Sequence, residues 1–373
     1  MNEDRASRYH RQRRRATILS LLLTAALLAA LVISGASIAL RDWAESLGGS
    51  PADGLPGYLI ACVLFVSVLF ALEEVLGFPL ATYRGYTLEH RYGLSREAFR
   101  DWCRDHAKAA AIGLAFTIVA AVAVYTAIHL TPRWWWVAAA ILATAAAIVL
   151  TNILPTVVLP IFYRLEPLDR PELAWRLIAL ARAQGVEALG VYVWGLGEKT
   201  RKANAALVGL GSTRRILLSD TLLAEYSEDE IEVILAHELA HHVHRDLWKA
   251  IAVEAAIALM AAWCADFTRR LIGPVLGFYG PQDLAALPLH LFGAGIVSVA
   301  AVPFVNALSR CNERRADRFA VGLTRRPAAF MSAMRRLGAQ NLAESRPGAI
   351  ARLIFYTHPP VEERIEAAKT AAR

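Results

Sequence analysis

Six long apolar stretches constrain this chain more than any other feature of its sequence, because each is long enough to cross a lipid bilayer as a helix. Hydrophobic residues make up 56% of the 373 residues and charged residues only 20%, which is more apolar than an ordinary soluble enzyme. The sequence therefore predicts a mainly α-helical, polytopic membrane protein. The expected spans lie at about residues 16–40, 57–80, 107–130, 134–162, 247–267 and 287–308.

The last two stretches are less uniform than the first four. Glu254, Asp266 and His290 interrupt them, so core helices of a soluble region are a stronger alternative there. Polar residues at membrane depth normally face the interior of a helix bundle or a water-filled cavity. Glu73 and Glu74, near the end of the second stretch, fit the same interpretation.

The pentapeptide HELAH at residues 237–241 follows the fourth stretch. Ser227 and Glu230 form a capping-box signature, which predicts a helix from about Glu228 that carries both histidines. Histidines four residues apart share one helix face, with Cβ atoms roughly 5–6 Å apart, and can bind one Zn²⁺. Glu238 would then lie beside the metal, where a carboxylate can act as the base in metal-assisted peptide hydrolysis. A charged helix face that carries two histidines by chance is the alternative.

A catalytic zinc usually has three protein ligands and one open position, so a third ligand is required. Metzincins carry a third histidine six residues after the second, but Leu247 occupies that position. Glu254 lies inside an apolar stretch, whereas Glu313 lies in the polar run at residues 312–317, and Glu313 is the predicted ligand. Asp317, one helical turn further, is predicted to accept the remaining N–H of a ligating imidazole. A solvated helix start neutralised by arginines is the alternative for this pair.

Three separated motifs follow one another in the second half of the chain: HExxH at residues 237–241, NExxAD at 312–317 and YTHPPVEER at 356–364. Together with upstream segments at 80–94, 202–205 and 215–223, they resemble peptidase family M48 and, within it, the CAAX prenyl protease branch. The likeness covers the chain from about residue 55 to its C-terminus. Two positions depart from the branch: Ala240 replaces the usual glycine, and Arg314-Arg315 replace an aromatic residue and glutamine.

The resemblance implies that one Zn²⁺ per chain is bound by His237, His241 and Glu313. It implies that Glu238 is the general base and afterwards the proton donor. It also implies that Asn204, on an edge strand, holds the backbone of the substrate.

Two further residues are placed near the scissile carbonyl by the resemblance. His358 and Arg364 could supply an imidazole N–H or a guanidinium to a tetrahedral oxyanion, which needs donors beyond the metal. Without the family likeness, His358 before two prolines would be a turn residue. Arg364 could instead pair with an acidic side chain in a structural role.

Between the fourth span and the HELAH helix, the pattern becomes that of a soluble region. A helix is predicted near residues 171–184, with short strands at 191–194, 205–208 and 216–218, the last two forming a small β-hairpin. An exposed edge strand beside the metal would bind an extended peptide by strand addition. The expected organisation is a basic cytoplasmic tail at 1–15, four spans at 16–162, the catalytic segment at 163–246, two spans at 247–309 and C-terminal helices that complete the zinc site at 310–373.

The distribution of basic residues predicts the orientation. Residues 5–15, 84–108 and 164–245 and the tail after 310 are basic, whereas the connections near 41–56 and 131–133 are not. The positive-inside rule then places both termini and the catalytic segment in the cytoplasm, and we expect a bacterial inner membrane. Arg269 and Arg270 lie on the opposite side in this scheme. The net charge of +7 follows from this topology, and no motif supports nucleic-acid binding.

The expected function is that of a membrane-embedded zinc endopeptidase, similar to CAAX prenyl proteases. Its partners would be the lipid bilayer and peptide or protein substrates, including membrane-associated ones. If the chain is bacterial, we expect membrane-protein quality control rather than cleavage of prenylated CAAX proteins. A silent membrane scaffold or sensor with a structural zinc is the alternative, but a structural site has no use for Glu238. A transporter is disfavoured because the chain lacks an inverted repeat.

Overall fold

The computed structural model describes residues 2–209 and 211–371. The first half is helical, because long Ala- and Leu-rich stretches satisfy their backbone polar groups within one segment. Its helices are α1 (Asn2–Ile33), α2 (Ala36–Gly48), α3 (Leu55–Thr82), α4 (Leu88–Arg91), α5 (Phe99–Leu130), α6 (Trp135–Ile153) and α7 (Leu159–Phe162). Single turns of π-helix at Tyr83–Thr87 and Leu154–Val158 carry α3 into α4 and α6 into α7.

The second half combines a small sheet with further helices. It begins at the residue that follows the fourth apolar helix and runs to the end of the described chain. Its elements are β1 (Leu165–Pro167), α8 (Pro171–Ala183), β2 (Val191–Trp194), β3 (Ala205–Val208), β4 (Arg215–Ser219), α9 (Asp220–Glu225), α10 (Glu228–Val243), α11 (Asp246–Ile272), α12 (Leu287–Thr324), α13 (Pro327–Gln340), α14 (Ala349–Phe355) and α15 (Val361–Ala371).

Six helical segments of the described chain are long and apolar enough to cross a membrane, which confirms the predicted number of spans. Many of their apolar side chains point outward: Val75, Val119 and Ile141 are 72%, 67% and 64% exposed. Surfaces of this kind are stable in lipid and not in water. The protein is therefore an integral, multi-pass membrane protein. The spans lie within Arg5–Ile33, Leu55–Arg91, Phe99–Leu130, Trp135–Phe162, Asp246–Ile272 and Leu284–Thr324.

The basic N-terminal residues differ from the expected tail. From residue 2 onward they form the first turns of α1, which continues into the first span without interruption. Gly35, with a φ of 75°, ends this run and allows the chain to turn into α2. The arginines at the start of α1 are therefore held in fixed positions on a helix.

The longest of the described helices, α12, has 38 residues. The sequence predicts a span that ends near residue 308 and a separate helix that begins at Asn312, and this expectation is wrong. The boundary expected after residue 309 falls inside α12. The hydrogen bonds of a helix do not depend on side-chain polarity, so the helix continues through the change from apolar to polar composition. That change is expected to mark the membrane surface and not the end of the helix.

The polar residues within the spans differ in burial, so the expectation that they face the interior holds only for some: Glu73 is exposed and Glu74 is half-buried. Asp266 and His290 are 4% and 6% exposed, whereas Glu254 is exposed. Arg269 and Arg270, which contradict the simple charge rule, both pair with Asp266 at 2.9 and 2.6 Å. Their charges are thus partly compensated inside the protein.

The small sheet has four strands in the order β1-β2-β4-β3. Strands β3 and β4 form the predicted antiparallel pair, and β2 pairs in parallel with β4. The additional strand β1 is antiparallel to β2 and has only three residues, too few to show an alternating pattern in the sequence. Strand β4 is buried along most of its length, and β3 is left as an edge strand.

Two separate hydrophobic clusters stabilise the two halves. One joins α1, α2, α3, α5, α6 and α11 within the membrane bundle. The other packs α8, the sheet, α10, α13, α15 and the last turns of α12 around Ile231, Leu235 and Phe330. Helix α12 extends from the bundle into the second cluster, so this helix connects the membrane region to the small sheet and the helices packed around it.

Candidate metal centre

The histidines of the HELAH pentapeptide lie on α10, whose start is fixed by the predicted capping box. Ser227 Oγ accepts a hydrogen bond from the Glu230 N–H at 3.3 Å, and Glu230 Oε2 accepts one from the Ser227 N–H at 2.8 Å. Further along the helix, the rings of His237 and His241 lie 5.1 Å apart, at an angle of 84°. Both imidazoles therefore face the same side of α10.

Glu313, from α12, is the third group at this position. Its carboxylate oxygens lie 3.2 Å from His237 Nε2 and 3.4 Å from His241 Nε2. Metal–ligand bonds of about 2.1 Å at tetrahedral angles place neighbouring donor atoms about 3.4 Å apart, so this spacing fits one zinc-sized ion. In addition, Glu313 Oε2 is buried without a hydrogen-bond partner among the described residues, as expected of an atom that binds a metal.

Asp317 and Arg364 form a buried pair behind His237. Asp317 Oδ1 lies 2.9 Å from His237 Nδ1, which leaves Nε2 free to face Glu313. Arg364 donates two hydrogen bonds to Asp317, at 2.8 and 2.5 Å, and its side chain is 11% exposed. The guanidinium is engaged by this carboxylate, which favours the structural alternative for Arg364 over contact with substrate.

Asp246 and Arg315 repeat this arrangement behind His241, and the sequence did not predict them as site residues. His241 Nδ1 lies 3.1 Å from Asp246 Oδ2, and Arg315 Nη2 donates a hydrogen bond to Asp246. Arg245, with a φ of 55°, turns the chain sharply between α10 and α11 and returns Asp246 to the histidine. In the sequence, the available signal for Asp246 was an acidic residue five positions after His241. This signal is weak because it does not show the turn at Arg245.

The two arginines that depart from the family pattern thus have partners within the protein. Arg315 pairs with Asp246, and Arg314 Nε donates to Glu363 at 2.7 Å. Both therefore help to hold elements around the site.

Glu238 lies between the two histidines on α10. It is half-buried, and its carboxylate accepts no hydrogen bond from the described residues. Burial raises the pKa of Glu238 above its usual value, against the opposing effect of His237 and His241. Burial also opposes protonation of His237, but the nearby carboxylates of Asp317 and Glu313 raise its pKa to about 9.

His358 lies in the loop between α14 and α15, where its solvent-exposed side chain faces Glu313. Its Nε2 atom is 3.4 Å from Glu313 Oε1, and its side chain is 60% exposed. Thr357 Oγ1 lies 2.8 Å from its Nδ1 atom. The exposed imidazole can therefore contact a molecule that approaches the three clustered donors.

Two buried residues of α12 hold this loop, and sequence reasoning did not find them. Asn306 and Arg310 are each 6% exposed and donate hydrogen bonds of 2.6–3.2 Å to the last carbonyls of α14 and the residue after it. With Glu313 and Asp317 they recur at the three- and four-residue spacing of one helix face. That spacing was the available signal, although it does not reveal that the loop with His358 packs there.

Asn204 lies directly before the edge strand β3, and its side chain is exposed. Its N–H donates to Ser219 Oγ at 3.0 Å, and its carbonyl accepts from the Ser219 N–H at 2.9 Å. Further along β3, the Leu207 carbonyl lies 3.3 Å from His242 Nε2 on α10. The edge strand is thus joined directly to the helix that carries the two histidines.

An apolar cavity of 350 Å³ opens beside His241, between β3 and the membrane helices. Its walls come from the π-helical turn after α6, the end of β3 and the start of α11. The lining residues include Leu154, Pro155, Leu207, Val208 and Leu247. This space is suited to an apolar side chain or lipid-like group near the metal centre.

A membrane bundle joined to an HExxH helix, with a carboxylate from a later helix, defines a membrane-embedded metallopeptidase. Residues 167–372 match the model of peptidase family M48, and residues 2–164 match the CAAX prenyl protease N-terminal region, described as five membrane helices. The chain belongs to peptidase family M48, which confirms the resemblance drawn from its motifs. The family implies a catalytic metal, typically zinc, and the His-His-Glu cluster is consistent with it.

The chain is also similar to individual proteins over most of its length. It is 28% identical to the uncharacterized metalloprotease YhfN of Bacillus subtilis, covering 91% of this chain and 79% of that protein. It is 24% identical to CAAX prenyl protease 1 of Saccharomyces cerevisiae, covering 81% and 71%. The crystal structure of S. mikatae Ste24p has the same fold, with a TM-score of 0.83 at 20% identity over 98% of this chain and 88% of that one.

Proposed function

We propose that this protein hydrolyses peptide bonds with one zinc ion per chain, bound by His237, His241 and Glu313. The observation that carries the proposal is the convergence of these three donors at ligand spacing. Each histidine directs Nε2 toward Glu313, while a separate carboxylate holds each Nδ1. Such carboxylates fix the tautomer and the orientation of a ligating imidazole.

The remaining residues of the site divide the chemistry among them. A zinc ion held by these three residues would supply Lewis-acid polarisation of the scissile carbonyl and would lower the pKa of the attacking water. Glu238 takes a proton from the water that attacks the scissile carbonyl and later delivers it to the leaving amine. His358 donates to the developing oxyanion. Arg364 acts through Asp317 as a positioning residue.

The substrate is proposed to bind as an extended peptide along the edge strand β3, beginning near Asn204. The apolar cavity beside His241 then accepts an apolar side chain close to the scissile bond. The proposed substrates include membrane-associated peptides and proteins. Prenylated CAAX proteins, to which the name of the yeast relative refers, are one such group. Membrane-protein quality control is the proposed physiological task.

Both termini and the catalytic segment are proposed to lie in the cytoplasm, at a bacterial inner membrane. The positive-inside distribution supports the cytoplasmic side. The ion pair of 2.6 Å between Arg14 of α1 and Glu344, in the loop between α13 and α14, supports placing the N-terminal and C-terminal regions on the same side. A cysteine placed at the exposed Arg201, in a Cys311→Ser background, should react with a membrane-impermeant thiol reagent only after the cells are permeabilised. Labelling in intact cells would reverse the orientation.

Glu238→Gln tests the enzyme proposal. Compared with the zinc-loaded parent protein on a peptide library, this variant should lose about 10²–10⁴-fold in cleavage rate, because only proton transfer is removed. Its zinc content should equal that of the parent. Equal cleavage by both proteins would leave the zinc with a structural role and support the scaffold alternative.

The physiological task needs a separate comparison. The purified protein should cut misfolded membrane proteins in proteoliposomes faster than a prenylated CAAX peptide, while Glu238→Gln cuts neither. Cleavage of the prenylated peptide alone would replace quality control by CAAX-type processing.

A further inference from the structure

A second cavity, of 340 Å³, opens beside His358. One wall is the loop at residues 355–358, and the other is the basic start of α1 with His10, Arg13 and Arg14. None of its lining residues belongs to the apolar cavity beside His241. The proposed centre therefore has an apolar cavity at one of its histidines and a basic cavity at the loop that carries His358.

The basic wall is built into the structure. Arg14 Nη1 donates to Glu344 Oε2 at 2.6 Å and to Tyr356 Oη at 2.8 Å. His10 Nε2 lies 3.0 Å from the Leu342 carbonyl. These contacts hold the start of α1 against the segment that leads to His358, so the backbone that carries Arg13 is in place before a ligand arrives.

Arg13 differs from its neighbour in having no acidic partner among the described residues. Its contact there is the Tyr9 hydroxyl, at 3.2 Å, whereas the charge of Arg14 is matched by Glu344. The Arg13 side chain is exposed and lines the cavity. A guanidinium has five N–H donors in a planar fork that suits a carboxylate. The cavity thus contains an uncompensated cation with donors to spare.

We propose that this cavity is a substrate subsite for a carboxylate, which Arg13 recognises. The inference rests on the proposed function and adds the chemical character of one part of the substrate. His358 links the two places, since it lines the cavity and its Nε2 lies 3.4 Å from Glu313 Oε1. A peptide with its scissile carbonyl at the metal centre can therefore reach Arg13, either with its C-terminal carboxylate or with an Asp or Glu side chain.

The test uses the full-length, zinc-loaded protein and matched peptides. One pair differs only in a C-terminal acid or amide, and the other only in Glu or Gln near the scissile bond. The parent should prefer the charged member of one pair by about three- to fivefold in kcat/KM, the size expected for an exposed charge pair. Arg13→Gln should slow the charged peptide to the rate of its neutral partner and leave the neutral one unchanged.

Arg15→Gln is the matched control, because Arg15 is an exposed arginine on the same helix that does not line the cavity. It should keep the parent's preference, and Arg13→Lys should keep part of it. The pair that shows the preference identifies the source of the carboxylate. Equal slowing of charged and neutral peptides by Arg13→Gln, or an unchanged preference, would overturn the inference.

Two further experiments distinguish the carboxylate subsite from a lipid site and from a failure of catalysis. Cleavage by the parent and by Arg13→Gln is also compared in nanodiscs with and without anionic lipid. If the effect of the substitution depends on anionic lipid and not on peptide charge, the cavity binds a lipid headgroup and the substrate proposal is refuted. Binding of the same labelled peptides to Glu238→Gln repeats the comparison without cleavage. A parent that cleaves no peptide defeats the proposed function, even where binding retains the carboxylate preference. A parent that cleaves without this preference defeats only the subsite.

Discussion

The two histidines of the candidate metal centre are supported by the same arrangement of side chains in different surroundings. Each Nδ1 faces a carboxylate, and each carboxylate is held by an arginine. The side chain of His237 is 9% exposed, whereas that of His241 is 27% exposed. We call the two halves the closed side (His237, Asp317 and Arg364) and the open side (His241, Asp246 and Arg315).

The difference separates two tasks of the site. On the closed side, water is excluded, so the ion pair is little screened and its loss leaves an uncompensated buried charge. The open side adjoins the apolar cavity and the edge strand where the substrate is proposed to bind. We infer that the closed side chiefly retains the metal and that the open side holds its histidine while leaving room for substrate.

The largest effect is expected from Glu313→Gln, because Glu313 faces both sides. Loss of its charge should weaken zinc binding by more than about 100-fold, beyond the effect of removing an orienting group alone, and abolish cleavage. Zinc competition titration and peptide hydrolysis measure this. Glu366→Gln, at an exposed acid of α15, is the control. Retention of tightly bound zinc in Glu313→Gln would contradict the assigned ligand set.

Asp317→Asn tests the closed side. It should weaken zinc binding about 100-fold and destabilise the protein by about 3–5 kcal/mol, because Arg364 is left buried without its partner. Thermal unfolding with and without zinc distinguishes the two effects. The double variant with Arg364→Met should recover part of the stability but not the zinc affinity.

Asp246→Asn tests the open side and should have a smaller effect. Zinc binding should weaken about 10-fold, with about 1 kcal/mol lost in stability, because Arg315 is 32% exposed and remains hydrated. The same titration and unfolding experiments apply. If Asp246→Asn lost as much zinc affinity and stability as Asp317→Asn, the comparison would fail, because burial of the paired arginine would then not determine the size of the effect.

A pH series extends the comparison to Glu344, a third carboxylate that an arginine holds. Burial raises the pKa of Glu344, but hydrogen bonds from Arg14 and Tyr356 outweigh this and place it below its usual value. The contribution of Glu344 to stability is therefore present above its unfolded pKa of about 4.3 and is lost as the pH falls through the lower folded pKa. At pH 6, Glu344→Gln should cost about 1 kcal/mol of stability relative to the parent, measured as a lower Tm. This difference in Tm should shrink as the pH falls below the unfolded pKa of about 4.3. If the difference in Tm instead grew on acidification, the predicted direction of the Glu344 pKa shift would be wrong.

Local features of the sequence predicted the parts of the site that depend on one helix. The capping box and the spacing of His237 and His241 determine their common face on α10, and both are visible in consecutive residues. Glu313 was found because a carboxylate in a polar run differs from its apolar surroundings. These signals require only helical geometry and the coordination habits of zinc.

The remaining parts depend on contacts between distant segments. Asp246 reaches His241 only because of the left-handed turn at Arg245, and an arginine gives no sign of such a turn. Asn306 and Arg310 are apparent as holders of the His358 loop only when α14 is packed against α12. No sequence periodicity specifies which pair of helices meets.

The unbroken course of α12 has a mechanical consequence. At about 1.5 Å per residue, its 38 residues form a rod of about 57 Å, well beyond the roughly 30 Å of a hydrocarbon core. Glu313 sits on the part of this rod that follows the apolar stretch, so a change in the tilt of the apolar part within the lipid displaces the carboxylate. Hydrolysis by this protein should therefore respond to the acyl-chain length of the surrounding bilayer.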